Sequence, residues 1–205
     1  LSNFNYIAPV YDRLAGLVFG DAIRDAQRVH LKAFSAARRI LIVGGGTGWL
    51  LRDVLTTSPG AQVIYLEASY KMIELSRECV NPGDAARVVF LHGKEDLIPD
   101  GPHFDGIIAN FFLDVFPESE LGRVVGRFHR SLMPTGRLLV TDFVSQRRWQ
   151  RALLKVMYLF FRISAGLRNQ QLPRWQSVVR AHDFSGASKH TFLHGFICSE
   201  LFRKG

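Results

Sequence analysis

Cysteine is scarce in these 205 residues: Cys79 and Cys198 stand far apart and outside any C-x-x-C pair. That excludes a disulfide framework and a thiolate zinc site, and it points to a reducing, cytoplasmic setting. Long apolar runs are missing too. The richest stretch, Leu153 to Ile163, contains Lys155 and Arg162 and is far shorter than the ~20 residues that cross a bilayer. The opening residues show no basic stretch leading into an apolar one, so no secretory leader is expected. No group of His and carboxylate residues has metal-ligand spacing, so no metal is expected.

Acid is absent from one whole segment. Between Phe143 and His182 lie Arg147, Arg148, Arg151, Lys155, Arg162, Arg168, Arg174 and Arg180 without a single Asp or Glu. These eight charges equal the net charge of the chain, +8, and the residues before them are close to neutral. Two readings stand: a solvated basic face, or a surface that meets something anionic such as a membrane. No recognised nucleic-acid module accompanies the charges, so nucleic acid is not an expected partner.

What is present is an alternation of strands and helices. A helical pattern spans Tyr11 to Phe34. The apolar run Ile40-Leu41-Ile42-Val43 then reads as a strand buried on both faces. A helix over Trp49–Thr57 is stopped by Ser58-Pro59-Gly60, and Val63–Leu66 and Ser69–Val80 repeat the unit. Further strands are expected at Arg87–Leu91, Phe104–Ala109 and Arg137–Thr141. A helix over Glu118–Leu132 is followed by a loop at Met133-Pro134-Thr135-Gly136. A long helix over Arg147–Leu167, a short one after Pro173, and a hairpin turning at His194-Gly195 complete the chain. This pattern predicts an α/β fold: a doubly wound, mostly parallel sheet with an antiparallel hairpin strand at the C-terminal end. One domain is expected, with a helical cap (1–37), a cofactor-binding core (38–142), a basic, apolar lid (143–182) and a strand hairpin (183–205).

The main chemical signal is Val43-Gly44-Gly45-Gly46-Thr47-Gly48-Trp49, placed between a strand and a helix. Glycines there let a ligand approach the backbone, although a tight turn would also use them. A dinucleotide fingerprint needs glycine at its sixth position, where this chain has Trp49. The G-x-G-x-G spacing of Gly44, Gly46 and Gly48 fits S-adenosylmethionine, whose amino-acid part needs no phosphate cradle. The helix end would still favour its carboxylate. Glu67 closes the second strand, 19 residues after Gly48, where an acid can take up ribose hydroxyls or simply begin a helix.

Ile40–Gly48 resembles motif I of the class I S-adenosylmethionine-dependent methyltransferases. The segments Tyr65–Met72, Phe104–Phe112 and Leu132–Val140 are similar to their later motifs, in the same order. The opening Ile7-Ala8-Pro9-Val10-Tyr11-Asp12 resembles the ubiquinone/menaquinone-biosynthesis C-methyltransferases and their small-molecule relatives. The resemblance implies that Gly44, Gly46 and Gly48 contact the methionine and ribose portion of the cofactor and Glu67 the ribose. Ala68 and Met72 would flank the adenine, Asn110 and Phe111 would lie beside the methionine and the transferred methyl, and Tyr11 would close the pocket. Two positions depart from the family. Ile42 stands where an acid usually helps to hold the cofactor's amino group, which leaves Asp12 or backbone carbonyls as substitutes. Lys94 stands where the adenine side usually has an aspartate, which leaves Glu95 or Asp96 as the acceptor.

The expected activity is methyl transfer to a small, apolar or lipid-like acceptor, such as a quinone or another aromatic metabolite. Asp114 and Asp142, after the fourth and fifth strands, are the candidates for a catalytic base, against a plain loop or cap role for each. The scarce cysteines place such an enzyme in the cytoplasm, and the basic lid reads either as aromatic core under a solvated face or as a surface peripheral to a membrane. Two alternatives remain: a catalytically silent methyltransferase-fold subunit that binds a protein partner through its lid, and a nicotinamide-dependent oxidoreductase, which Trp49 disfavours.

Overall fold

In the computed structural model, β1 (Arg39–Val43) is an interior strand, third in a seven-stranded sheet, and is buried on both faces, as its unbroken apolar run predicts. The structure describes residues 19–145, 147, 149–150, 152–154 and 172–205. Tyr11, Asp12 and half of the 143–182 lid, including Arg148, Arg151, Lys155, Arg162 and Arg168, lie outside the described residues.

The other strands are β2 (Gln62–Glu67), β3 (Val88–His92), β4 (Phe104–Asn110), β5 (Leu132–Phe143), β6 (Phe184–Phe192) and β7 (Ile197–Lys204). Their order across the sheet is β3-β2-β1-β4-β5-β7-β6. The first five run parallel, and β7 runs antiparallel to both β5 and β6. The chain winds outward from β1 through β2 and β3, then restarts on the other side at β4. The crevice between the carboxyl ends of β1 and β4 is thus the switch point, where open α/β sheets bind ligands.

Helices cover both faces. Helix α1 (Ala22–Arg28), a 3-10 turn (Leu31–Phe34) and α2 (Trp49–Thr57) lie on one side, over Ile40, Ile42, Ile108 and Leu139. Helix α4 (Glu118–Ser131) and α5 (Trp175–Ala181) lie on the other, over Leu41, Val43, Ile107, Ala109, Leu138 and Val140. Helix α3 (Tyr70–Glu78) follows β2. Helix α4 buries Leu121, Val124, Val125 and Phe128, the i, i+3, i+4, i+7 stripe of a core-facing helix. Its first turn carries Glu118 and Glu120 and its last His129 and Arg130, which suits the helix dipole. Trp175 anchors α5: its side chain is buried, and its indole N–H donates to the Phe143 carbonyl at 3.0 Å.

Two local expectations differ from the structure. The helical pattern before β1 breaks at Val29-His30, because His30 turns inward to β7. The loop expected at Met133–Gly136 is absorbed into β5. Phe104 pairs with Leu132 and Gly106 with Arg137, so the exposed residues Met133, Pro134 and Thr135 bulge out of a strand that continues on either side.

His30 is buried, its Nε2 3.3 Å from the Ser199 carbonyl oxygen and 3.4 Å from Nδ1 of His190 on the edge strand β6. Burial, first, and the neighbouring His190 lower its pKa, against the opposing effect of the Ser199 carbonyl. A histidine held neutral in the fold takes up its proton more readily when unfolded, so the stability it confers is present above the unfolded value near 6.5 and declines as pH falls through it. The urea midpoint should therefore drop when pH is lowered from about 7.5 to about 5.5, and the drop should be smaller in His30→Gln. An equal drop in that variant would assign the pH dependence to other groups.

Candidate functional site

The turn from β1 into α2 takes left-handed backbone three times, with φ of +59° at Gly44, +66° at Gly46 and +84° at Gly48. Such angles cost a residue with a Cβ about 1–2 kcal/mol, which is why glycine recurs here. The glycines differ in what surrounds them. A Cβ on Gly48 would lie 2.6 Å from the Ser76 Cα on α3, and one on Gly45 would lie 2.1 Å from the Tyr65 ring. A Cβ on Gly46 would meet nothing within 4 Å among the described residues. Gly45 and Gly48 are glycines because protein packs against them, whereas Gly46 faces open space. Gly48 also gives α2 an N-cap without a side-chain bond, so the first-turn amides of that helix have no capping group.

Two side chains of β2 fasten this turn. The Tyr65 hydroxyl donates to the Gly46 carbonyl at 2.9 Å. Glu67, almost fully buried, accepts the Gly46 N–H at 3.0 Å with Oε2 and the Ser69 N–H at 2.8 Å with Oε1. Burial raises the Glu67 pKa, and backbone donors from Ser69, Gly46 and Ala68 oppose the rise. Tyr65 was not among the residues expected here. Its hydroxyl in a doubly buried strand was the available clue, since a buried phenol needs a partner.

Beside Glu67, the Ala68 carbonyl oxygen lies 3.1 Å from His92 Nε2, and Met72 is buried at the start of α3, where its N–H meets the Ser69 hydroxyl. Glu95 is held from another direction: Arg123 on α4 donates to its carboxylate at 2.8 Å and Arg127 to its carbonyl at 2.9 Å. Asp96 is exposed. Trp49 lies under the guanidinium groups of Arg24 and Arg28 of α1, 5.5 and 5.1 Å from its ring.

Across β1, the end of β4 completes the crevice. Asn110 is the last strand residue, and its side-chain carbonyl oxygen is buried with no hydrogen-bond partner among the described residues. Phe111 follows with φ +49°, a strained conformation for an aromatic residue that costs about 1–3 kcal/mol. Its N–H is fixed to the Thr141 carbonyl at 2.7 Å, and its ring lies 4.9 Å from that of Phe143. Phe143 in turn meets Phe196 at 5.0 Å and Phe19 at 5.6 Å. With Ala26, Leu154 and Ile197 they form a third apolar cluster at the carboxyl end of the sheet.

Asp142 alternates with Phe143 along β5 and so points to the opposite face of the sheet, the one covered by α4, where Asp114 lies beside it. Asp142 is fully buried; its Oδ2 accepts the N–H groups of Leu113 at 3.0 Å and Asp114 at 3.1 Å, and its Oδ1 that of Phe143 at 2.8 Å. It thereby fixes the 3-10 turn Leu113–Val115 against the end of β5. Burial lifts the Asp114 carboxyl to about 7, and burial plus the Asp114 charge raises Asp142. The two titrate as a unit.

Residues 41–138 match the methyltransferase domain family. The chain is 33% identical over 144 residues to the demethylmenaquinone methyltransferase of Thermus thermophilus, a match covering 68% of this chain and 64% of that protein. It thus spans less than two thirds of that relative. An O-methyltransferase family protein from Burkholderia thailandensis superposes on 98% of this chain with a TM-score of 0.73 and 18% identity, over 58% of its own length. A second structure from that organism, 1,6-didemethyltoxoflavin-N1-methyltransferase with 1,6-didemethyltoxoflavin and S-adenosylhomocysteine bound, covers 98% of this chain and 86% of its own at a TM-score of 0.70 and 17% identity. With the strand order, the glycine turn after β1 and the acid that closes β2, these matches make the chain a member of the class I S-adenosylmethionine-dependent methyltransferases.

Proposed function

We propose that the chain transfers a methyl group from S-adenosylmethionine to a small, apolar, aromatic acceptor of the quinone or phenol type. The observation that carries this reading is the open left-handed turn at Gly46, held from behind by Glu67 and Tyr65 and bare on its outer side. The residues present fit the cofactor. Gly44, Gly46 and Gly48 would hold its methionine and ribose portion, and the uncapped start of α2 would attract its carboxylate. The Glu67 oxygens, which accept backbone amides of Gly46, Ser69 and Ala68, keep lone-pair capacity for a ribose hydroxyl. Ala68 and Met72 would flank the adenine. Glu95, engaged by Arg123, is a poorer partner for the adenine amine than the sequence suggests.

The bound cofactor supplies an electrophilic sulfonium methyl, so the protein's task is to align the acceptor and exclude water. The apolar cluster of Phe19, Phe111, Phe143 and Phe196 supports an aromatic acceptor at the carboxyl ends of β4 and β5. Asp114 is the proposed proton acceptor, on the strength of its raised pKa. Asp142, bonded to three backbone amides, holds the turn that carries Asp114, whose own burial keeps its pKa high.

Four outcomes test the proposal. Calorimetry should show binding of S-adenosylhomocysteine to the purified chain, and the absence of binding to it and to S-adenosylmethionine would remove the reading. Gly46→Ala should fold with a stability loss of about 1–2 kcal/mol yet bind the cofactor product far more weakly, because its methyl enters the open cradle. Gly48→Ala should instead lower the melting temperature markedly, since its methyl meets the Ser76 backbone. With a phenolic or hydroquinone acceptor, kcat/KM should rise with pH through about 7, where Asp114 titrates. That limb should disappear in Asp114→Asn while S-adenosylhomocysteine affinity is retained; a surviving limb would assign the proton to another group.

A further inference from the structure

A second concavity opens at the other end of the sheet, where β1, β2 and β4 begin. It measures about 670 Å³, within the range of small-molecule sites, and Arg38, Arg39, Gln62, His103, Asp105 and Met133 are among its lining residues. Strand register explains the grouping. Arg39 pairs with Gln62, and Ile40 with Gly106, so Gln62, Arg39 and Asp105 stand level on three neighbouring strands. One residue further on, Ile40 and Val63 belong to the apolar layer under α1 and α2, so alternation turns the polar row to the opposite face. At ~3.3 Å per residue along β1, this row lies roughly 17 Å from Gly44. It shares no residue with the cofactor crevice.

The charges of this cleft are unequally engaged. Asp105 accepts the backbone N–H groups of Arg38 at 2.9 Å and Arg39 at 2.8 Å, both on Oδ2. The carboxylate thus fixes the start of β1 through its amides and takes up neither guanidinium. Both arginines are exposed, and neither side chain has an ion pair or hydrogen bond among the described residues. Two positive charges therefore line the cleft against one negative charge. At its rim, His103 Nε2 lies 3.1 Å from the Asp100 carbonyl oxygen. Met133, pushed outward by the bulge in β5, adds an exposed apolar surface. A guanidinium presents a fork of N–H donors matched to two phosphate oxygens, and two such forks suit a dianion. We propose that this cleft binds a phosphate monoester, with Arg38 and Arg39 holding the phosphate and Met133 lying against the organic part. A soluble phosphate ester and a lipid headgroup that ends in a phosphate monoester share this chemistry. The site is independent of the methyl-donor reading.

Calorimetry on the whole chain with phenyl phosphate, and with inorganic phosphate for comparison, tests the assignment. Wild type should bind phenyl phosphate at one site, more tightly than inorganic phosphate, and less tightly as salt is raised. The double variant Arg38→Gln/Arg39→Gln should lose about tenfold or more in that affinity. Its melting temperature and its response to S-adenosylhomocysteine should match wild type, since both side chains are exposed and remote from the glycine turn. Asp105→Asn keeps an oxygen for the two backbone amides but removes the negative charge, so it should strengthen phenyl phosphate binding about threefold. Co-sedimentation with phosphatidylcholine vesicles containing phosphatidic acid separates the two sources. Sedimentation that phenyl phosphate and the double substitution both abolish assigns a lipid headgroup; no sedimentation, or sedimentation that survives both, assigns a soluble ester. Absence of phenyl phosphate binding by wild type at about 10 mM, or equal binding in the double variant, overturns the proposal.

Discussion

The Glu67 carboxylate is the interaction on which the site depends. One oxygen holds the Gly46 amide and the other the Ser69 amide, so one buried acid ties the turn after β1 to the start of α3. Neither amide has a strand partner at that point, and an acid with two backbone donors can remain buried where a lone carboxylate could not. Tyr65, two residues earlier on the same face of β2, secures the Gly46 carbonyl. The left-handed turn is thus fixed by β2 rather than by its own sequence. The glycines permit the conformation, and Tyr65 and Glu67 select it.

This division explains which parts of the site were legible. The apolar run Ile40–Val43, the glycines at 44, 46 and 48 and the acid at 67 are local signals, and each predicts its element because burial or backbone sterics act within a few residues. The α2 boundaries, Trp49–Thr57, follow from Gly48 before the helix and Ser58-Pro59-Gly60 after it. Tyr65 escaped notice because an aromatic residue in a buried strand looks like core until its hydroxyl is traced to Gly46. The ion pair that takes up Glu95 involves Arg123, 28 residues on, and only the packing of α4 brings them together. The bulge at Met133–Thr135 was hidden for a similar reason: a Pro-Gly loop and a bulge in a continuing strand share a composition, and only pairing with β4 separates them.

The two acids after β4 and β5 illustrate roles that residue type alone does not separate. Both lie at the carboxyl end of the sheet, both are buried, and both looked like bases or caps. Asp142 receives three backbone N–H groups, the pattern of an acid that organises a turn. Asp114 rides on that turn, and its carboxyl is raised into the range where proton transfer at neutral pH is efficient. Changing Asp142 would disturb both the position and the titration of Asp114, so the two are best regarded as one device.

The crevice is accordingly built in two materials. Its β1–β2 half is made largely of backbone, with amides, carbonyls and absent side chains arranged by Tyr65 and Glu67. Its β4–β5 half is made of side chains: Asn110, Asp114 and the rings of Phe111, Phe143, Phe196 and Phe19. A backbone-built half needs glycines at fixed spacing whatever is methylated, because Cβ atoms would collide with Tyr65 or Ser76, or fill the cradle at Gly46. A side-chain-built half can be refitted one residue at a time without disturbing the sheet, as long as the strained Phe111 backbone stays fixed to Thr141. On the proposed function, acceptor choice would rest on residues that look like ordinary core, and cofactor choice on residues that look like nothing else in the chain.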